Sequence, residues 1–118
     1  MGYFSGRLKS FGFALQGIRV LIASQTNARV HLVATFLVLV AAFLSGLTLT
    51  EWALLMFAIG TVWTAEALNT AIEFAVDLAS PDKHLLAERA KDAAAGGVLL
   101  ASIFAALVGL IVFLPKWL

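Results

Sequence analysis

An all-α integral membrane fold, with three spanning helices and an amphipathic N-terminal helix on the membrane surface, is predicted by two observations. Of 118 residues, 62% are hydrophobic and only 13% charged, whereas a soluble domain is about 45–50% apolar. The charges are also unevenly spread, because three stretches long enough to cross about 30 Å of hydrocarbon hold almost none. No Pro/Gly/Ser-rich linker or repeat divides the chain, so residues 1–118 read as one domain.

Residues 3–26 come first. Phe4, Leu8, Phe11, Leu15, Ile18 and Ile22 recur every three or four positions, with Arg7, Lys9 and Arg19 off that stripe, the pattern of a helix lying in the interface. No signal peptide is expected there, since basic residues interrupt the apolar ones and no small-residue cleavage site follows a hydrophobic run. Residues 30–47 form the first span, with His31 at its edge as its one ionisable side chain. Residues 52–77 form the second. They start at a Glu51-Trp52 pair suited to the interface and stay apolar as far as Glu66 and Asn69. The third span is expected over residues 81–114, with Ser80 as N-cap, Pro81 as first helical residue and a stop at Pro115-Lys116-Trp117.

Charge orients these spans. Arg7, Lys9, Arg19, Arg29, Lys83, Arg89 and Lys91, seven of eight basic residues, fall in the N-terminal segment and the second connection. The positive-inside rule then puts both on the cytoplasmic side, with the C-terminus outside. Having no cysteine, the chain has no disulfide or thiolate chemistry. The net charge of +1 gives no sign of a nucleic-acid partner.

Chemistry concentrates on the second span. Glu66, Asn69, Glu73 and Asp77 are spaced by three, four and four, so at 100° per residue they share one helix face within about 80° and run about 16 Å along it. A charge at the bilayer centre costs at least about 2.5 kcal/mol, so such a stripe must face protein, water or metal. On the third helix Glu88, Lys91 and Asp92 share a face. The Ala93-Ala94-Ala95-Gly96-Gly97 run that follows reads as a close helix contact. Carboxylates to hold Mg²⁺, a lysine to neutralise phosphate and a deep acid, Glu66, to take a proton from a lipid alcohol suit phosphoryl transfer. No P-loop or protein-kinase motif is present. His31 and His84 read as interfacial or hydrogen-bonded side chains, and the tryptophans as anchors.

A second reading is a non-enzymatic small membrane oligomer, either a proton or cation channel lined by the stripe or a scaffold. Residues 53–63, with Gly60 and Thr61 as their only non-apolar members, end the polar path midway and favour a one-sided site.

The run Glu66-Ala-Leu-Asn69-Thr-Ala-Ile-Glu73-Phe-Ala-Val-Asp77, with Lys91-Asp92-Ala-Ala-Ala-Gly96, resembles the signature of the prokaryotic diacylglycerol kinase and undecaprenol kinase family. Gly17-Ile-Arg19 and Asn27-Ala-Arg29-Val-His31 extend the likeness over nearly the whole chain. The resemblance implies a homotrimer in the bacterial cytoplasmic membrane, with active sites shared between subunits and facing the cytoplasm. It also implies transfer of the ATP γ-phosphate to a lipid hydroxyl. Glu66 would be the base and Glu73 a Mg²⁺ ligand. Asn69, Asp77, Asp82, Lys83, His84, Lys91 and Asp92 would complete the nucleotide site. In one departure, Gln25 stands where the family places a second metal-binding glutamate. The wording of Asn-Thr-Ala-Ile-Glu and of the terminal Phe-Leu-Pro-Lys leans toward undecaprenol over diacylglycerol as the lipid.

Overall fold

The computed structural model describes residues 2–118; Met1 lies outside the described residues. Four helices follow one another: α1 Tyr3–Ser24, α2 Thr26–Ser45, α3 Leu49–Ala79 and α4 Leu85–Trp117. The last three are long and apolar enough to cross a membrane. At 1.5 Å per residue they measure about 30, 46 and 50 Å, so α2 matches the hydrocarbon thickness while α3 and α4 overrun it.

The breaks have local causes. Gln25 is extended (φ −114°, ψ 118°) and both closes α1 and opens α2. The α2–α3 turn passes through Gly46 at φ +66°, a left-handed conformation that a side chain would strain. Thr48 then caps α3 in a capping box: its hydroxyl accepts from the Glu51 amide at 3.2 Å, and the Glu51 carboxylate accepts from the Thr48 amide at 3.1 Å.

Both ends of α4 differ from the sequence expectation. The helix starts at Leu85 rather than Pro81, because the Ser80 hydroxyl donates to the Asp82 carbonyl at 2.9 Å and so folds a turn instead of capping a helix. His84 caps in its place, with Nδ1 accepting from the Leu86 amide at 3.1 Å. At the other end Pro115 does not stop the helix, which continues to Trp117. The final turn is held from outside: Lys116 Nζ reaches Glu51 at 3.0 Å and the Gly46 carbonyl at 3.4 Å, and Trp117 Nε1 donates to Ser45 Oγ at 3.0 Å.

Antiparallel register follows from cross-contacts. Phe43 meets Trp52 with ring centroids 4.9 Å apart, the Trp63 indole donates to Thr35 Oγ1 at 3.0 Å, and Gln25 reaches Glu73. The core of Ala42, Leu55, Val112 and Phe113 lies at the end where α2 turns into α3, joined by Val38, Trp52 and Ile59. Many large apolar side chains, Phe36, Leu44, Phe57 and Ile111 among them, point outward, as expected where lipid is the solvent. Along α1, Phe4, Leu8, Phe11, Leu15 and Ile18 are also exposed, and Leu21 is the buried residue. In the Ala/Gly run a Cβ added at Gly96 or Gly97 would meet nothing within 4 Å, so no atom of this chain requires glycine at either position.

Thr48→Ala removes the hydroxyl that satisfies the first turn of α3 and should lower stability by about 1 kcal/mol. Denaturation by increasing SDS in mixed micelles, with the exposed Thr50→Ala as control, measures this. Equal midpoints would mean that the cap contributes nothing.

Candidate active site

The α3 stripe is graded. Glu66 is 1% exposed, Asn69 7% and Thr70 4%, Glu73 is half-buried, and the Asp77 side chain is 61% exposed. One helix face therefore carries polar groups from a sealed interior to an open rim. Thr70 keeps its hydroxyl on the helix, donating to the Glu66 carbonyl at 2.9 Å.

Glu73 occupies the middle, between two amides. Asn69 Nδ2 donates to its Oε1 and Gln25 Nε2 to its Oε2, each at 3.4 Å. The break between α1 and α2 thus brings Gln25 across to the stripe, 48 positions away in sequence. Among the described residues no three His, Cys, Asp or Glu side chains form a metal cage. Around Glu73 the available donors are carboxylate and amide oxygens, and Asn69 Oδ1 is buried without a hydrogen-bond partner. This set fits Mg²⁺, which takes one or two protein oxygens and completes its shell with phosphates and water.

At the rim Lys91 of α4 donates to Asp77 Oδ1 as an ion pair. A cleft of about 250 Å³ opens beside it, lined by Asp77, Ser80, Asp82, Lys83, His84 and Lys91. The nucleotide-site candidates of the second connection thereby stand together with two from the helices. Asp92, one position further round α4, is exposed and does not line the cleft.

Two further cavities flank the stripe. One of about 370 Å³ lies between α1 and α3, walled by Gly17, Leu21, Thr70 and Phe74 among others. The other, of about 240 Å³, lies between α2, α3 and α4. Its walls are almost wholly apolar, and its polar members are His31, Thr35 and Ser102.

The sequence reading missed the neighbour of Glu66. His31 Nε2 lies 3.2 Å from Glu66 Oε1, yet off the line of a hydrogen bond, so that this buried oxygen accepts none. A signal existed: His31 and Glu66 are each the lone ionisable side chain in the apolar part of adjacent spans, and such groups find one another when lipid is the alternative.

Residues 12–113 match the family described as prokaryotic diacylglycerol kinase. The undecaprenol kinase of Bacillus subtilis is 42% identical over 108 residues, covering 92% of this chain and 88% of that protein. A diacylglycerol kinase of a Synechocystis species is 42% identical over 109 residues, 92% of this chain but 62% of that longer protein. The diacylglycerol kinase of Escherichia coli K12 is 32% identical over 102 residues, 86% of this chain and 84% of that protein. With three apolar helices and a graded acidic stripe on the second of them, the chain belongs to the prokaryotic diacylglycerol kinase family of membrane lipid kinases.

Proposed function

We propose that the chain transfers the γ-phosphoryl group of ATP, with Mg²⁺, to the hydroxyl of a membrane lipid alcohol, and that undecaprenol is preferred to diacylglycerol. The observation that carries this reading is the grading of the α3 stripe. A lipid hydroxyl arrives from the apolar side and a nucleotide from water, and the stripe joins the two: a sealed carboxylate with an unpaired oxygen at one end, an open charged cleft at the other.

Each residue then has a task. Glu66 takes the hydroxyl proton as the lipid oxygen attacks. At Glu73 and Gln25 the chain would hold Mg²⁺, which when bound neutralises phosphate charge. Lys91 lies at the mouth of the cleft, where its ammonium can leave Asp77 for a phosphate oxygen. Asn69, Asp77, Asp82, Lys83, His84 and Asp92 hold and orient the nucleotide. Placement and fixed charge supply the rate, without a covalent enzyme intermediate. The sharing of sites in a homotrimer, with the N-terminus and active site cytoplasmic, belongs to the same reading.

Undecaprenol is favoured because the undecaprenol kinase of Bacillus subtilis matches over most of both chains. A channel is disfavoured by the apolar core of Leu55, Val112 and Phe113, which lies beyond the stripe.

Three experiments test this. Purified protein in mixed micelles with Mg²⁺ should phosphorylate undecaprenol faster than diacylglycerol when each is offered with ATP, and Glu73→Ala should lose both activities; the opposite order reverses the substrate assignment. Glu66→Gln should cut turnover by about 10³-fold or more while nucleotide binding, followed by calorimetry, stays within about twofold. Near-normal turnover would remove Glu66 from the role of base. Gln25→Glu adds a charged oxygen beside Glu73 and should lower the Mg²⁺ concentration for half-maximal rate; an unchanged Mg²⁺ titration would take Gln25 out of the metal site.

A further inference from the structure

Phosphoryl transfer to an alcohol breaks the bond between the γ-phosphorus and its bridging oxygen, whose electron pair leaves with ADP. It forms a new bond from phosphorus to the lipid oxygen and frees the hydroxyl proton. A base that takes this proton must lose it before the next turnover. Glu66 is 1% exposed, so water does not reach it freely.

The groups around Glu66 narrow the ways out. Thr70 has its hydroxyl on the Glu66 backbone carbonyl. Asn69 gives its amide nitrogen to Glu73, and an amide does not accept protons near neutral pH. His31 is different. Its Nε2 is 3.2 Å from Glu66 Oε1, and its side chain is 24% exposed, so one ring touches the sealed carboxylate and also has a face not packed against protein, at the edge of the cavity between α2, α3 and α4. An imidazole ordinarily titrates near pH 6.5 and passes a proton between its two nitrogens, accepting at one and releasing at the other. The present contact is close but out of line, as catalytic hydrogen bonds often are before substrate binds.

The charged neighbours leave His31 free for this task. Glu66 from α3 is the titratable group in contact with it. Thr35 and Ser102, the other polar side chains of the α2–α3–α4 cavity, do not titrate near neutrality. Arg29, two positions before His31 on α2, donates Nε to the Ile22 carbonyl at 3.1 Å and Nη2 to the Ala23 carbonyl, and so is held against α1.

We propose that His31 is the proton outlet of the site: Nε2 accepts the proton that Glu66 has taken from the lipid hydroxyl, and Nδ1 releases one to water. His31 acts through Glu66 and is a positioning residue rather than a catalytic one. The proposal rests on the kinase reading above and adds to it a path for the proton.

The test compares wild type with His31→Gln, which keeps size and polarity but cannot carry a proton, and with His31→Ala. Turnover is measured from pH 5.5 to 9 on the lipid that the wild type prefers, with ATP and lipid KM determined separately. His31→Gln should lower kcat on the order of tenfold or more while both KM values stay within about twofold. The acid-side fall in kcat that an already protonated outlet causes in wild type should vanish. Added imidazole should restore part of the rate to His31→Ala but not to wild type. In parallel, NMR of ¹³C-labelled histidine follows the two imidazoles of the chain, assigned with His84→Gln. The His31 titration should move on Glu66→Gln. Wild-type kcat and pH profile in His31→Gln would overturn the outlet while leaving the kinase reading intact, and so would a His31 titration indifferent to Glu66. No lipid phosphorylation by the wild type would overturn both.

Discussion

A carboxylate placed inside a membrane-spanning bundle is the constraint around which this molecule is built. Glu66 sits with 1% of its surface exposed on a helix whose outward faces are made for lipid. Because lipid offers a charge no compensation, the surrounding elements must shield that position. The α2 helix lays His31 against Glu66, and over about 16 Å of α3 the polarity rises through Asn69 and Glu73 to the open Asp77–Lys91 pair. A packed apolar core around Leu55 and Val112 closes the other direction. The polar path has one mouth.

This asymmetry explains how stability and chemistry share a small bundle. At the turn end, the capping box of Thr48 and Glu51, the Lys116 ion pair and the Trp117–Ser45 hydrogen bond tie the end of α4 to the α2–α3 turn. The stripe and His31 lie some 20 Å or more from these ties, along helices rising 1.5 Å per residue. At the other end α3 and α4 outreach α2, and the connection through Pro81 and His84 folds into a cleft instead of a tight hairpin.

Gln25 links local backbone to chemistry. It ends one helix and begins the next, and the same break that redirects the chain from α1 into α2 turns its amide toward Glu73. An amide at that point can donate a hydrogen bond to the carboxylate or present an oxygen to a cation. A glutamate there would add repulsion when no cation is present. Gln25 therefore gives Glu73 a neutral, hydrogen-bonding neighbour.

The three spans, the helix before them and the single polar face of α3 were legible in the sequence by itself, because uninterrupted apolar runs and the 66-69-73-77 spacing are periodic properties of local chain. The family signature resides in the same local runs. Helix ends were less legible: Ser80-Pro81 carries a capping pattern, yet the Ser80 hydroxyl is engaged by the Asp82 carbonyl and His84 caps instead. Pro115 reads as a stop, yet contacts from Ser45, Gly46 and Glu51 hold the turn beyond it. Only tertiary structure brought Gln25 to Glu73 and His31 to Glu66 and placed Asp92 outside the cleft. Spacing within one helix determines which of its residues share a face, whereas the rotation and register of one helix against another come from packing summed along its whole length.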